Sequence, residues 1–498
     1  MTQSQFAYIV IGGGTAGAVV AARLAEQSGE QVALFEAGPN DEGQERVLQL
    51  RNWPNLLETD LDFDYPIEPQ PRGNSLIRHA RGRVLGGCSS HNSSIAFLIP
   101  DYDLQIWAEM GVEGWSSAEV APFNQRLLEK VHLETPPPVN QLGMEMIAAA
   151  NQFGFPTLDF SREQVRPGVG WFQLNKKGPI RQSSSVAYLH PLSQWGERLT
   201  IFTNSYISRI LFDAQCQAIG VQTPHGPVYA EREIILACGA FDTPKLLMLS
   251  GLGPADHLIH FRLPVLADLP GVGENLLDHP ESVIYWQANR DVPQETTQFW
   301  EIGLFACLED PHGWPDLMYH FGPQPFDMQT VRYGFPTNPR AFSLTPNIAR
   351  ARSQGVVRLR SADAAAPPLI DFRYFTDPDG YDDRILREGI KLARRFIQES
   401  DLRHWVEREL APGPAFQTDE EISAYARQVS NTVYHPAGTC RMGDPADPLT
   451  VVDSHLRVKG VTGLRIADAS VFPTMIGVNP ALTVFMIGER CADFLLNR

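Results

Sequence analysis

Residues Gly86 to Ser93 read Gly-Gly-Cys-Ser-Ser-His-Asn-Ser, just after the basic stretch Arg81-Gly82-Arg83. The glycine pair Gly86-Gly87 lets backbone approach a flat ring, because no Cβ stands in the way. Ser89 and Ser90 keep that approach close, and His91 can reach a ring edge. A flavin suits the arrangement, including one bonded to the imidazole. A glycine-serine loop around a hydrogen-bonded histidine suits it too, and the octapeptide alone favours that loop. Far upstream, Gly12-x-Gly14-x-x-Gly17 encloses Thr15 and Ala16 and follows the apolar run Phe6 to Ile11. Its glycines permit a tight turn, and the following helix offers N–H donors and its positive end to a pyrophosphate. Glu36, next to Ala37 at the end of the following apolar run, is placed to accept hydrogen bonds from a ribose diol. This fingerprint does not separate NAD from FAD. A single such unit at the extreme N-terminus of a ~500-residue chain favours FAD.

These groups need a frame. Phe6 to Ile11 predicts a strand, Ala18 to Gln27 a helix and Gln31 to Phe35 a second strand, the βαβ opening of a doubly wound sheet. Glu134-Thr135-Pro136-Pro137-Pro138 is the clearest breaker, and Asn175 to Ser185 is a polar stretch. The apolar run Ile234 to Leu236 leads into Ala237-Cys238-Gly239-Ala240. Arg358 to Ile370 mixes basic residues with an alanine-proline run, while Glu388–Ser400 and Asp419–Val429 carry the spacing of amphipathic helices. No internal repeat is visible.

At 498 residues the chain has room for two or three lobes. Its hydrophobic share of 43% and charged share of 20% are those of a soluble globular protein. With 41 basic against 58 acidic residues the net charge is −17, which disfavours nucleic acid, whose phosphates need a positive footprint. An acidic surface weakly favours cationic substrates, although solubility explains it equally well. Six scattered cysteines without a CxxC pair predict reduced thiols in the cytoplasm and no metal site. No apolar run reaches the ~18 residues of a membrane span, and the uncharged Met1 to Gln5 does not predict a signal peptide.

Three segments together resemble the glucose-methanol-choline (GMC) oxidoreductase family over essentially the whole chain. They are the fingerprint running into Glu36-Ala37-Gly38-Pro39, the stretch Gly239 to Gly253, and Tyr434-His435-Pro436 through Asp468-Ala469-Ser470 to Asn479-Pro480. The resemblance implies an α/β fold in which a Rossmann-like FAD-binding domain (1–145, 185–280 and 433–498) is interleaved with a substrate domain of antiparallel sheet and helices (146–184 and 281–432). It places His435 beside flavin N5 as the base for hydride transfer to that atom. Asn479 takes the family's second catalytic position, where an amide orients a hydroxyl but cannot accept its proton. His320 is expected as a further donor to the developing alkoxide. Asp468 and Ala469 are expected against the ribityl or pyrophosphate part of FAD, with Asn479 and Pro480 also at the cofactor.

Within the family, the octapeptide resembles that of the choline-oxidising members. There the histidine equivalent to His91 carries FAD covalently at its 8α position, with Gly86, Gly87, Ser90 and Asn92 at the cofactor and Ser93 near its reactive face. Asp278-His279-Pro280-Glu281 resembles the segment whose glutamate meets a trimethylammonium group. Trp53, Trp300, His320, Phe326, Val433 and Tyr434 match the lining of that pocket. A quaternary ammonium has no N–H to donate, so charge and aromatic faces must recognise it. Each cation–π contact contributes ~0.5–2 kcal/mol. A carboxylate at ~4 Å and an effective dielectric near 20 contributes of the order of 4 kcal/mol before desolvation. Pro54 departs from the pattern, which has a methionine there, and the chain is shorter than these members between about 130 and 180. The resemblance thus implies a small quaternary ammonium alcohol oxidised to the acid level, with dioxygen reduced to hydrogen peroxide. The alternative is an oxidase or dehydrogenase for another primary alcohol or amino alcohol. It also allows a homodimer.

Overall fold

In the computed structural model, which describes residues 5–194 and 197–497, the strand Gln5–Ile11 is buried at every position after Gln5. A strand apolar on both faces needs cover on both, and it takes the middle of a mostly parallel sheet. Val32–Phe35 pairs with it on one side and Gly226–Leu236 on the other, both in parallel. Leu199–Phe202 extends the sheet beyond Val32–Phe35, and Leu464–Ile466 joins the far end of Gly226–Leu236, again in parallel. The first residues of Gly226–Leu236 turn back antiparallel with Ala218–Thr223, which pairs Arg209–Phe212. This seven-stranded sheet is crossed by the helix Thr15–Gln27, whose alanines let the helix Ala481–Leu496 come close. A Cβ on Gly488 would stand 2.9 Å from the Ala16 carbonyl oxygen. Arg23 and Glu489 meet across this contact at 2.8 Å, and Tyr188 donates to the same carboxylate, so the buried charges are paired.

A second, eight-stranded sheet is antiparallel throughout. Its order is Val406–Ala411, Ile284–Ala288, Ala341–Ile348, Leu317–Gly322, Ile302–Ala306, Gly168–Trp171, with Pro280–Glu281 bridging Ala341–Ile348 to Asn431–Thr432. The helix Tyr381–Glu399 covers one face through Ile385, Leu386, Ile390, Ala393 and Ile397, and Tyr319 donates to the Gly389 carbonyl. It begins at Tyr381 rather than Glu388, because its acidic first turn, Asp382 and Asp383, hides the apolar period. Asp419–Gln428 follows a Thr418/Glu421 capping box. The polar stretch from Asn175 holds a hairpin of Leu174–Lys177 with Ile180–Arg181 that turns at Gly178. The fold is α/β, as expected. No described helix is long and apolar enough to cross a membrane.

Candidate active site

Four parallel strands end on one edge: Ile11 gives way to Gly12, Phe35 to Glu36, Leu236 to Ala237 and Ile466 to Asp468. The carboxyl ends of such strands are where open α/β sheets take ligands. Gly12 has φ +97°, and a Cβ there would lie 2.4 Å from the Ala237 carbonyl oxygen. A Cβ on Gly87 would lie 2.7 Å from Gly14 Cα, so the octapeptide packs directly on the fingerprint. The Glu36 carboxylate accepts from the Gly13 N–H at 2.9 Å and the Gly38 N–H at 2.8 Å, and burial pushes it up to about 7. Asp468 accepts from Gly239 N–H, Thr243 hydroxyl and Ser470 N–H, which makes it a cap as well as a wall residue.

The octapeptide forms a 3-10 turn over Gly87–Ser90. Arg181 is fully buried and donates to the Val47 and Asn92 carbonyls at 2.7 Å, tying the loop to its surroundings. His91 Nε2 donates to the Leu56 carbonyl at 3.2 Å, with Asp62 at 3.9 Å. Burial pulls the imidazole down to about 4, so the ring is neutral, with a lone pair on its other nitrogen. Leu56 closes the 3-10 helix Leu50–Leu56, which carries Trp53 and Pro54.

A single cavity, about 2030 Å³ with its open mouth, runs from this edge to the second sheet. Its cofactor-side wall contains Gly12, Gly14, Thr15, Ala16, Glu36, Ala37, Gly87, His91, Asn92, Asp468, Ala469 and Pro480. Its far end contains Trp53, Ser93, Glu281, Trp300, His320, Phe326, Val433, Tyr434, His435 and Asn479. Gly17, Gly86 and Ser90 lie behind the wall. A Cβ on Gly17 would be 1.9 Å from the Gly12 carbonyl oxygen, and one on Gly86 2.1 Å from Ser90 Oγ, which itself donates to the Leu85 carbonyl. Their part is to shape the turns.

Sheet register assembles the far end. Glu281 stands opposite Asn347, and His320 opposite Thr345; positions 345 and 347 share a face, so all four side chains point the same way. The Glu281 carboxylate accepts from Asn431 Nδ2 at 3.3 Å and from Thr345, and burial pushes it up to about 8. Trp300 lies edge-to-face against Phe326, centroids 5.3 Å apart. It fits because position 322 is glycine: a Cβ there would be 1.9 Å from the indole. Trp53 donates to the Gln298 carbonyl at 3.1 Å.

His435 is fixed through His279. His279 Nε2 lies 3.0 Å from the Ala349 carbonyl and 2.9 Å from the Ile476 carbonyl. Carbonyls only accept, so Nε2 carries the proton and Nδ1 is an acceptor. His435 Nδ1, 2.8 Å from His279 Nδ1, must then be the donor. The His435 lone pair is left on Nε2, beside Asn479 Nδ2 at 3.5 Å. Burial, reinforced by the His279 ring, holds His435 well below the usual histidine range; burial also lowers His279 to about 4 and His320 to about 3. All three imidazoles are neutral at neutral pH. The backbone before His435 is strained, with Tyr434 at φ +65°. Thr432 accepts the Tyr434 N–H at 2.7 Å, and Asp278 accepts the His435 N–H at 3.0 Å. Burial alone would raise Asp278, but the nearby His79 and Thr432, with the Tyr374 hydroxyl donating at 2.6 Å, hold it well below the usual carboxylate range. Among the described residues the Asn479 carbonyl oxygen is buried and has no hydrogen-bond partner. Thr345, Asn431 and the His279–His435 contact carry no motif of their own and do not stand out in the sequence.

Residues 6–281 and 351–488 match the two GMC oxidoreductase family models. The chain belongs to the GMC oxidoreductase family. It is 48% identical to a choline oxidase of Arthrobacter globiformis, over 99% of this chain and 95% of that one. It is 33% identical to the mitochondrial choline dehydrogenase of Homo sapiens, over 99% and 90%. The crystal structure of a pyridoxine 4-oxidase from Mesorbium loti superposes with a TM-score of 0.91 at 29% identity, covering 99% of both chains. This GMC chain is an FAD-dependent oxidoreductase. Its residues fit the cofactor: the Gly14–Gly87 contact leaves bare backbone for close approach, Glu36 is buried at the strand end, and the cavity is continuous to the histidines.

Proposed function

We propose that this GMC oxidoreductase is a choline oxidase that carries FAD covalently on His91 and converts choline through betaine aldehyde to glycine betaine. One observation carries the reading: a buried carboxylate among aromatic rings, Glu281, shares its cavity with a neutral histidine, His435, whose Nε2 lone pair faces only a long contact from the Asn479 amide. The 48% identity to a choline oxidase supports it. FAD, when bound, supplies the hydride acceptor and returns the electrons to dioxygen as hydrogen peroxide.

The chain's own residues do the rest. Glu281, Trp300 and Tyr434 take the trimethylammonium end, with Trp53, Phe326, Val433 and Ser93 completing the wall. The hydroxyl end then lies toward His435 and Asn479. His435 Nε2 accepts the hydroxyl proton, while the Asn479 amide and the His320 N–H donate to the oxygen as it gains charge. The hydrated aldehyde presents the same hydroxyl to the same base for the second oxidation. In this reading segments 1–145, 185–280 and 433–498 serve the cofactor, and 146–184 and 281–432 the substrate. The six cysteines, all unpaired, support a cytoplasmic location. The reading is tested by hydrogen peroxide release when choline is added under air; a flavin that choline leaves oxidised refutes it.

For the attachment, acid precipitation is expected to leave the yellow colour with the protein, and His91→Ala to release it into the supernatant. Colour released from the unaltered protein would exclude the bond.

A further inference from the structure

Three buried amides stand in line behind Glu281. Asn431, paired with Glu281 across the strands, donates to it at 3.3 Å. Gln329 Nε2 donates to Asn431 Oδ1 at 3.3 Å, and Asn74 Nδ2 donates to Gln329 Oε1 at 2.9 Å. Asn74, Gln329 and Asn431 are each at most 4% exposed. The line ends at the half-buried Tyr333, whose hydroxyl donates to Asn74 Oδ1 at 2.8 Å.

The direction of this line is forced. Asn74 Oδ1 faces the Leu76 N–H, which only donates, and Asn74 Nδ2 faces the Ser430 carbonyl, which only accepts. The Asn74 amide therefore has one orientation. Its second N–H requires an acceptor on Gln329, which turns Gln329 Nε2 toward Asn431 and so Asn431 Nδ2 toward the carboxylate. Every amide presents its N–H end to Glu281, and bonds aligned in this way polarise one another.

We propose that this relay orients Glu281 and favours its anionic form for a cationic substrate, with Asn74 and Gln329 as positioning residues that govern substrate selection without touching substrate. The proposal rests on the choline reading. The other ionisable groups around Glu281 are Asp278 on its own segment, the Tyr434 phenol, and the His320 and His435 imidazoles in the same cavity. Of these the Tyr434 phenol meets the relay at Asn431, and among the described residues none meets Gln329, so a change at Gln329 leaves their own contacts in place.

The test uses flavin-loaded Gln329→Met, with choline and its neutral isostere 3,3-dimethylbutan-1-ol as substrates from neutral to alkaline pH. The Kd of tetramethylammonium, read from the flavin absorbance, is measured beside the kinetics. Removing one donor behind the anion raises the carboxyl pKa, so the pH dependence of choline kcat/KM shifts upward by about half a unit. At neutral pH the choline KM and the tetramethylammonium Kd rise about threefold, with kcat and the neutral alcohol unchanged. Tyr333→Phe, at the half-buried end, gives a smaller shift in the same direction and carries the test if Gln329→Met does not fold. Equal losses on both alcohols, or an unchanged Kd and pH profile, overturn the relay. A wild-type protein that does not discriminate the two alcohols overturns the choline reading, and the relay with it.

Discussion

His435→Gln lowers the rate of flavin reduction by choline by about 10²–10⁴, the range lost with a general base, while FAD stays attached and choline affinity stays within a few-fold. The reason lies in the tautomer. His279 is pinned as an acceptor by two carbonyls that take its Nε2 proton, which obliges His435 to donate from Nδ1 and to keep its lone pair on Nε2. Glutamine has a carbonyl of similar reach but no basic nitrogen, so it can orient a hydroxyl without taking its proton. Burial keeps His435 neutral throughout the physiological range, so the base is ready without a deprotonation step. The anaerobic rate of bleaching in a stopped-flow instrument reads this directly, and a variant that bleaches at the wild-type rate would remove His435 from the proton transfer.

Above about pH 8, Glu281→Gln raises the choline KM about 100-fold and leaves 3,3-dimethylbutan-1-ol within about twofold, because the ~4 kcal/mol attraction is only partly cancelled by desolvation. It is expected to exceed the loss of any one ring, each worth ~0.5–2 kcal/mol. A pH signature accompanies it. Without a cation the carboxyl is pushed up to about 8, so below that pH the free enzyme is largely protonated and unattractive to a quaternary ammonium. Since kcat/KM reports the free enzyme, the value for choline rises with pH and levels off above about 8. The glutamine variant and the neutral alcohol lack that rise. A variant that keeps it would move the titration to another group.

Much of this was legible in the residues. Phe6 to Ile11 reads as a central strand because it is apolar without alternation, and the glycines after it read as a turn because backbone must pass close to Ala237. Gly226–Leu236 was legible only at Ile234 to Leu236, since its first half alternates between half-buried and exposed positions and pairs antiparallel with Ala218–Thr223. Gly86 and Ser90 stand in the octapeptide yet act behind the wall, a distinction that spacing alone does not carry. The contact between His279 and His435 joins residues 156 apart, and its meaning depends on which nitrogen faces a carbonyl. Asn74, Gln329 and Asn431 left no trace in the sequence, because neutral amides at unrelated positions form no pattern until the fold sets them in line.

The central claim is that this cavity oxidises a cationic alcohol at the expense of dioxygen. The measurement that meets it most directly is hydrogen peroxide release under air by the unaltered protein, with choline and 3,3-dimethylbutan-1-ol side by side. Peroxide from both, with kcat/KM for choline higher by about 100-fold and peroxide formed at each of two successive oxidations, is the expected result. Peroxide from the neutral alcohol and none from choline would contradict it.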